Sequence, residues 1–287
     1  MDYRWLFEKD QNKLQQNRKR YNNQKKNLLN KQIYIFDQDG TLYIDNNPLV
    51  GSIEFLKYLK SKDKKFVFIS NNSSRSTIAY QKKLTDIFNM DISQDQIYNS
   101  TLATIAYMKK RKISKIFTIG TDEFNEELVS HGFKLTDNNP NLIVVAFDTS
   151  LTYQKLKKAS LLIQKGIDYV ATHPDKVCPT LEGFIPDTGS FIALLKTATN
   201  KEPKHIFGKP NPDLINSLLK KFNIKPEDAI IFGDRLYTDM KMGKNCNVTT
   251  ALMLTGESKL KDIIHFKIYP DFIFQDLNET LSLMQSL

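Results

Sequence analysis

Only two cysteines, Cys178 and Cys246, occur in 287 residues. They provide no disulfide framework and no C-x-x-C metal pair. Histidine is also scarce: His131, His173, His205 and His265 are scattered, and even His173 with Asp175 and Cys178 does not match the spacing of a common zinc site. No apolar run approaches the ~20 residues needed to cross a bilayer; Leu142 to Phe147 is among the longest. Walker-type and G-x-G-x-x-G phosphate loops are absent, as is any repeat of solenoid period. The N-terminus lacks the apolar stretch of a secretory signal. These absences argue against a membrane-spanning protein, a disulfide scaffold and a zinc module, and they predict a reduced, cytoplasmic setting.

What is present is ordinary in bulk and uneven in detail. Hydrophobic residues make up 40% and charged residues 25% of the chain, which suits a globular protein with a substantial core. The net charge of +9 raises the prospect of a nucleic-acid partner, but residues 1–31 hold nine Lys/Arg against three Asp/Glu, a net +6, so the remaining 256 residues carry only +3. The excess belongs to a basic N-terminal arm, residues 1–30, and no specific nucleic-acid partner is expected. Phe7, Leu14, Tyr21 and Leu28 recur every seven residues in that arm. Polar Asp10, Asn17 and Gln24 occupy the other seam positions, so a stable coiled coil is not expected.

From Gln32 onward the pattern is β-α-β. Ile33 to Phe36 reads as a buried parallel strand that stops at Asp37-Gln38-Asp39-Gly40. A helix at Ser52–Lys60, a strand at Lys65–Ile69 and a helix at Thr77–Phe88 follow. Strand candidates at Ile116–Ile119, Leu142–Phe147 and Asp168–Ala171 alternate with helices at Glu123–His131 and Tyr153–Lys165, as in a second, smaller α/β unit. After the turn-rich stretch His173 to Gly189, a helix at Thr188–Thr199 returns the chain to the first unit. His205–Gly208, Ala229–Phe232, Thr249–Leu254 and Phe272–Phe274 then supply further strands, with a helix at Asp213–Phe222. The fold class is α/β: a doubly wound parallel sheet with a smaller α/β domain inserted.

Four polar clusters sit at predicted strand ends: Asp37 with Asp39, Ser70 with Asn71, Lys209, and Asp234 with Asp239. In an open parallel sheet such ends converge on one rim, where ligands bind. Taken singly, each has a plainer reading, a solvated turn or a helix cap. Together, carboxylates in that number require a cation, and oxygen ligands without His or Cys suit Mg²⁺. Adding a lysine and hydroxyl and amide donors gives a set suited to phosphoryl transfer.

In order, DQDGT, SNN, GKP and GDRLYTD resemble the four motifs of the haloacid dehalogenase superfamily of aspartate-nucleophile phosphatases. SNNSSRS, ATHPDKVCPTLEGFIPDTGSF and IFGKPNPDL resemble its large α/β-capped subgroup (type IIA), typified by NagD, 4-nitrophenylphosphatases and the pyridoxal and glycolate phosphatases. The 135 residues between SNN and GKP leave room for an inserted cap. The resemblance implies a Rossmann-like core at 31–98 and 203–287 with a cap at 99–202. It implies Asp37 as nucleophile and Asp39 as the acid and base that serves the leaving group and water. Ser70 and Asn71, with Asn72 nearby, would hold phosphoryl oxygens, and Lys209 would offset negative charge. Mg²⁺ would sit on Asp37, Asp39 through its carbonyl, Asp234 and Asp239. Gln38 departs from the apolar or small residue usual at that position. The expected activity is hydrolysis of a small phosphorylated metabolite, such as a sugar phosphate, nucleoside monophosphate or pyridoxal phosphate. Asp175 and Cys178 in the cap loop are expected substrate contacts, and a homodimer through the cap is a further expectation. Two alternatives stay open: a phosphotransferase using the same aspartyl-phosphate, and a catalytically idle binding protein that uses its basic arm.

Overall fold

The computed structural model describes residues 28–180 and 182–286. They cluster into two compact units. One holds the chain up to Ile69, Lys83–Ile92 and Leu218–Leu287; the other holds Ser70–Lys82 and Ser93–Ser217. The heptad positions Phe7, Leu14 and Tyr21 lie outside the described residues. Leu28 is fully buried, and its carbonyl accepts a hydrogen bond from Tyr34 Oη at 2.7 Å. Lys64 Nζ donates to the Leu29 carbonyl at 2.8 Å. Residues 28 and 29 are thus packed against the first unit.

In chain order the strands are β1 (Ile33–Asp37), β2 (Tyr43–Ile44), β3 (Asn47–Pro48), β4 (Lys65–Ser70), β5 (Ile97–Asn99), β6 (Lys115–Ile119), β7 (Lys134–Leu135) and β8 (Leu142–Val145). They continue with β9 (Tyr169–Ala171), β10 (Val177–Thr180), β11 (Gly183–Pro186), β12 (His205–Ile206), β13 (Ala229–Gly233), β14 (Thr249–Met253) and β15 (Phe272–Phe274).

Within the first unit, strands pair in parallel in the order β15-β14-β13-β1-β4. Every residue of β1 and of β13 is buried, which is why IYIF and AIIF read as unbroken apolar runs: a central parallel strand is covered on both faces. Phe36 and Tyr34 stack on Phe232, with ring centroids 5.0 and 6.4 Å apart. All three meet Phe55 of the helix Ser52–Ser61 close to edge-on, and that helix also buries Leu56 and Leu59. Each such side chain contributes about 1.5–3 kcal/mol by burial. The register pairs Phe36 with Phe232, so β1 and β13 run out side by side and deliver Asp37 and Asp234 to the same edge.

The second unit has its own parallel sheet, β12-β9-β8-β6-β7, and an antiparallel hairpin, β10-β11. Ile143, Val145, Tyr169 and Ala171 from its strands pack with Leu162, Ile163, Phe191 and Leu195 from its helices. Thr121, Thr152 and Asp187 each accept a backbone N–H at the start of a helix, satisfying donors that the helix itself leaves open.

Two findings depart from the sequence reading. His205–Ile206 pairs with β9, His205 with Val170 and Ile206 with Ala171. It therefore belongs to the second unit's sheet, and Lys209 does not follow a strand of the sheet that carries Asp37. A two-residue strand carries too little pattern to choose its own sheet, so the pairing partner decides. The stretch read as turn-rich contains the β10-β11 hairpin. Among elements not anticipated, the helix Ser100–Lys110 opens with the Asn99 side chain accepting from Leu102 N. Among the described residues no helix is long and apolar enough to cross a membrane.

Candidate active site

Asp37, Asp234 and Asp239 form the central feature of the first unit. All three are buried, and each offers a carboxylate oxygen within 4.8 Å of the others. Asp37 ends β1, Asp234 follows β13, and Asp239 lies on the π-helical turn Leu236–Met240. The backbone draws close around Asp234. Gly40, at φ +82°, has room for no side chain, since a Cβ there would lie 2.6 Å from Asp234 Oδ2. A Cβ on Gly256 would overlap the same oxygen. Thr255 Oγ1 donates to the Gly40 carbonyl at 2.7 Å, and Glu257 N donates to Asp234 Oδ2 at 2.7 Å. Two loops, one at Gly40 and one at Thr255–Glu257, thereby enclose one carboxylate. Gln38 has a structural task in this turn: its Oε1 accepts from buried Tyr43 Oη at 2.8 Å.

The electrostatics of the cluster favour a cation. Burial pushes the Asp234 carboxyl up to about 8; Asp37 and Asp239 add to the rise, while the Glu257 N–H and Arg235 oppose it. Asp234 Oδ1 is buried with no hydrogen-bond partner among the described residues. An acceptor that water cannot reach and no donor satisfies is costly, and a hard divalent cation among carboxylates removes that cost. The residues fit such an ion. Arg235 balances part of the charge: burial alone would lower its affinity for the proton, but Asp37, Asp234 and Glu257 raise it further. Its Nε lies 3.0 Å from Glu257 Oε2, and Tyr237 Oη donates to Glu257 Oε1 at 2.6 Å. Asp39 differs from the three: its side chain is exposed.

A second constellation lies within the second unit. Asn71 Oδ1 accepts from Lys209 N at 2.6 Å, while Asn71 Nδ2 donates to Lys209 O at 3.1 Å and to Asp175 Oδ2 at 3.0 Å. The Asn71 side-chain amide is thus committed to fixing the Lys209 peptide. Asn72 N donates to Ser70 Oγ at 3.1 Å, and Asn72 Oδ1 accepts from Ser74 N at 2.9 Å, so Asn72 shapes its own turn. Ser70, Asn71 and Lys209 are buried. Cys178 lies on β10, outside the hydrogen bonds that tie Asn71, Asp175 and Lys209 together.

The structure therefore assembles the predicted residues as two sets, Asp37 with Asp234 and Asp239, and Asn71 with Asp175 and Lys209. Arg235 and Glu257 were not singled out from the sequence. Arg235 stands inside the GDRLYTD motif, but its partner lies 22 residues further along, a separation that local pattern does not reveal.

Comparison with known proteins agrees with the geometry. The family model described as haloacid dehalogenase-like hydrolase matches residues 34–134, and a HAD-hydrolase-like model matches residues 206–280. The 4-nitrophenylphosphatase from Thermotoga maritima is 40% identical, with a TM-score of 0.86 over 89% of this chain and 98% of that one. NagD from E. coli K-12 is 28% identical, with a TM-score of 0.80 over 87% of this chain and 98% of its own. The acid sugar phosphatase of Staphylococcus epidermidis is 28% identical over 253 residues, covering 88% of this chain and 97% of the relative. A buried strand that ends in Asp37, a buried carboxylate triad and relatives matched nearly end to end thus coincide: the chain belongs to the haloacid dehalogenase-like hydrolases, as a phosphatase of the NagD and 4-nitrophenylphosphatase type.

Proposed function

We propose that the chain hydrolyses sugar phosphates and similarly small phosphomonoesters through an aspartyl-phosphate on Asp37. The observation that carries this reading is the contrast between two aspartates one residue apart: Asp37 is buried with Asp234 and Asp239, whereas Asp39 is exposed. Asp37 attacks phosphorus, and Asp39 gives its proton to the departing oxygen. Asp39, now ionised, takes a proton from water as water attacks the aspartyl-phosphate, and phosphate leaves with Asp37 regenerated. Lys209 and the hydroxyl of Ser70 meet the charge on the phosphoryl oxygens, and Asn71 holds the Lys209 peptide in place. Mg²⁺, held by Asp37, Asp234, Asp239 and the Asp39 carbonyl, supplies charge neutralisation when bound; the all-oxygen donor set supports that metal.

The inserted unit, residues 99–202, is assigned the choice of leaving group, with Cys178 as its candidate contact, while the Asp175 carboxylate is engaged by the Asn71 amide. The acid sugar phosphatase relative supports a sugar phosphate as first choice, with nucleoside monophosphates and pyridoxal phosphate as competitors. A homodimer through this unit is part of the same reading, supported by the exposed apolar side chains of Val177, Phe184 and Ile185 on the hairpin. A cytoplasmic setting is supported by two cysteines that form no disulfide among the described residues.

The test is a panel of sugar, nucleoside, pyridoxal and aryl phosphates assayed for phosphate release with Mg²⁺ and with chelator. Release that requires Mg²⁺ and disappears in Asp37→Asn is expected. A panel left intact by the Mg²⁺-loaded protein would overturn the reading.

A further inference from the structure

His173 is fully buried and both of its ring nitrogens face acidic groups. Nδ1 is buried without a hydrogen-bond partner among the described residues, and Asp175 Oδ2 faces it at 3.7 Å, within ion-pair range but beyond a hydrogen bond. Nε2 lies 3.5 Å from Asp187 Oδ1 and 3.1 Å from Thr188 Oγ1. Asp187 is itself anchored, since its Oδ1 accepts Thr188 N at 2.5 Å at the start of the helix Thr188–Thr199. One side of the ring is therefore tied to a rigid element. The other side faces the same Asp175 oxygen that accepts the Asn71 amide. Asn71 in turn brackets Lys209 through both its peptide N–H and its carbonyl.

The loops are pressed together at this point. Gly208, at φ +71°, could carry a Cβ only 2.6 Å from Asn71 Oδ1 and 2.8 Å from His173 Cβ. No slack remains between the loop after β9 and the loop after β12. Asp175, by contrast, keeps a fifth of its side chain exposed, so without a partner on its inner side the carboxylate could turn outward and release the Asn71 amide.

We propose that His173 is a positioning residue for phosphoryl transfer: anchored by Asp187 and Thr188, it holds Asp175 inward, and Asp175 orients Asn71 and with it Lys209. The proposal rests on the reading of Lys209 as a phosphoryl contact. It needs no contact between His173 and substrate, so its effect is on turnover and is shared by all substrates. A misplacement near 1 Å at a reacting centre costs about 10²-fold.

The chain of contacts also predicts which replacement rescues. The amide nitrogen of an asparagine stands near the histidine Nδ1 position, and that of a glutamine near Nε2. His173→Asn therefore keeps a donor towards Asp175, while His173→Gln keeps one towards Asp187 and Thr188. The experiment measures kcat and KM of the full chain with Mg²⁺ on a sugar phosphate and on 4-nitrophenyl phosphate. It uses His173→Leu, His173→Asn, His173→Gln, Asp175→Ala and the double variant His173→Leu/Asp175→Ala, with Lys209→Met as reference. His173→Leu is expected to lower kcat about 10–100-fold on both substrates with KM within about threefold. His173→Asn recovers most of the loss and His173→Gln does not. The double variant falls no further than the worse single one, since both act on one path.

Full turnover in folded His173→Leu, additive losses in the double variant, or a changed ranking of the two substrates would each overturn the proposal. Should His173→Leu fail to fold, the Asn and Gln variants decide, and equal activities overturn it. Lys209→Met separates the two levels. If it stays active, the reading of Lys209 fails and the positioning proposal falls with it. If it is dead while the His173 series is unaffected, only the positioning proposal fails.

Discussion

Replacing Asp234 by asparagine should stabilise the metal-free protein while removing its response to metal. Burial, with Asp37 and Asp239 adding to it, lifts the Asp234 carboxyl to about 8 from an ordinary value of 3.8. Between those values the folded state holds a proton that the unfolded chain has released. Stability therefore falls as pH rises, and the fall is complete only above about 8. At pH 7.5 the cost of ionising this site in the fold is a few kcal/mol. Asp234→Asn keeps the acceptor for Glu257 N and carries no charge. Its metal-free Tm should exceed that of the parent by several degrees at pH 7.5, at roughly 2–4 °C per kcal/mol, and the difference should vanish near pH 4. A divalent cation takes the place of the proton, so in the parent Mg²⁺ should raise Tm more at pH 8 than at pH 5. The assay is thermal unfolding of chelator-treated protein across pH 4–9, with and without millimolar Mg²⁺, for parent and variant. Taking the difference between the two proteins cancels the titrating groups remote from Asp234 and leaves the carboxylate cluster it forms with Asp37 and Asp239. A parent that grows more stable than Asp234→Asn as pH rises from 5 to 8 would refute the argument, as would full stabilisation of the variant by Mg²⁺.

Three further outcomes are expected. Asp37→Asn should abolish turnover, whereas Asp39→Asn should slow an alkyl phosphate far more than an aryl phosphate, with about 10²–10⁴-fold lost at the water step; rapid-quench measurement of a phenol burst checks the second point. Gly256→Ala should fold with reduced metal affinity, because its Cβ would overlap Asp234 Oδ2; a Mg²⁺ titration of activity that matches the parent's would contradict this. Deleting residues 1–27 should leave kcat/KM within about threefold, under ~1 kcal/mol, whereas extending the deletion through Leu28 and Leu29 should lower Tm by removing the partners of Tyr34 and Lys64.

The parts of this molecule that sequence exposes are those whose physics is local. β1 and β13 are legible because a strand covered on both faces must be apolar throughout, and Asp37 and Asp234 stand where that apolar run stops. The helices Tyr153–Gln164 and Thr188–Thr199 are legible from spacing. Lys209 is legible as a residue but not in its surroundings, because His205–Ile206 takes its sheet from β9, more than thirty residues earlier in the chain. The sequence weighs His173 only as a zinc ligand with Asp175 and Cys178 and does not single out Asp187, because their significance is relational. Fourteen residues separate them, and only the fold sets one ring between Asp175 and Asp187. Arg235 went unassigned for the same reason, since Glu257 belongs to another loop.

The walls around Asp234 at Gly40 and Gly256 are made of main chain, and this limits how the centre can change. A pocket lined by side chains can be widened by trimming one of them, so a different ion can be admitted one small substitution at a time. Here there is nothing to trim on those two sides, and any addition collides with the Asp234 carboxylate itself. Selection for a larger or softer cation would have to exchange the carboxylates or rebuild a loop. Both are coarse steps, so the metal preference of this centre should outlast changes in which substrate it serves.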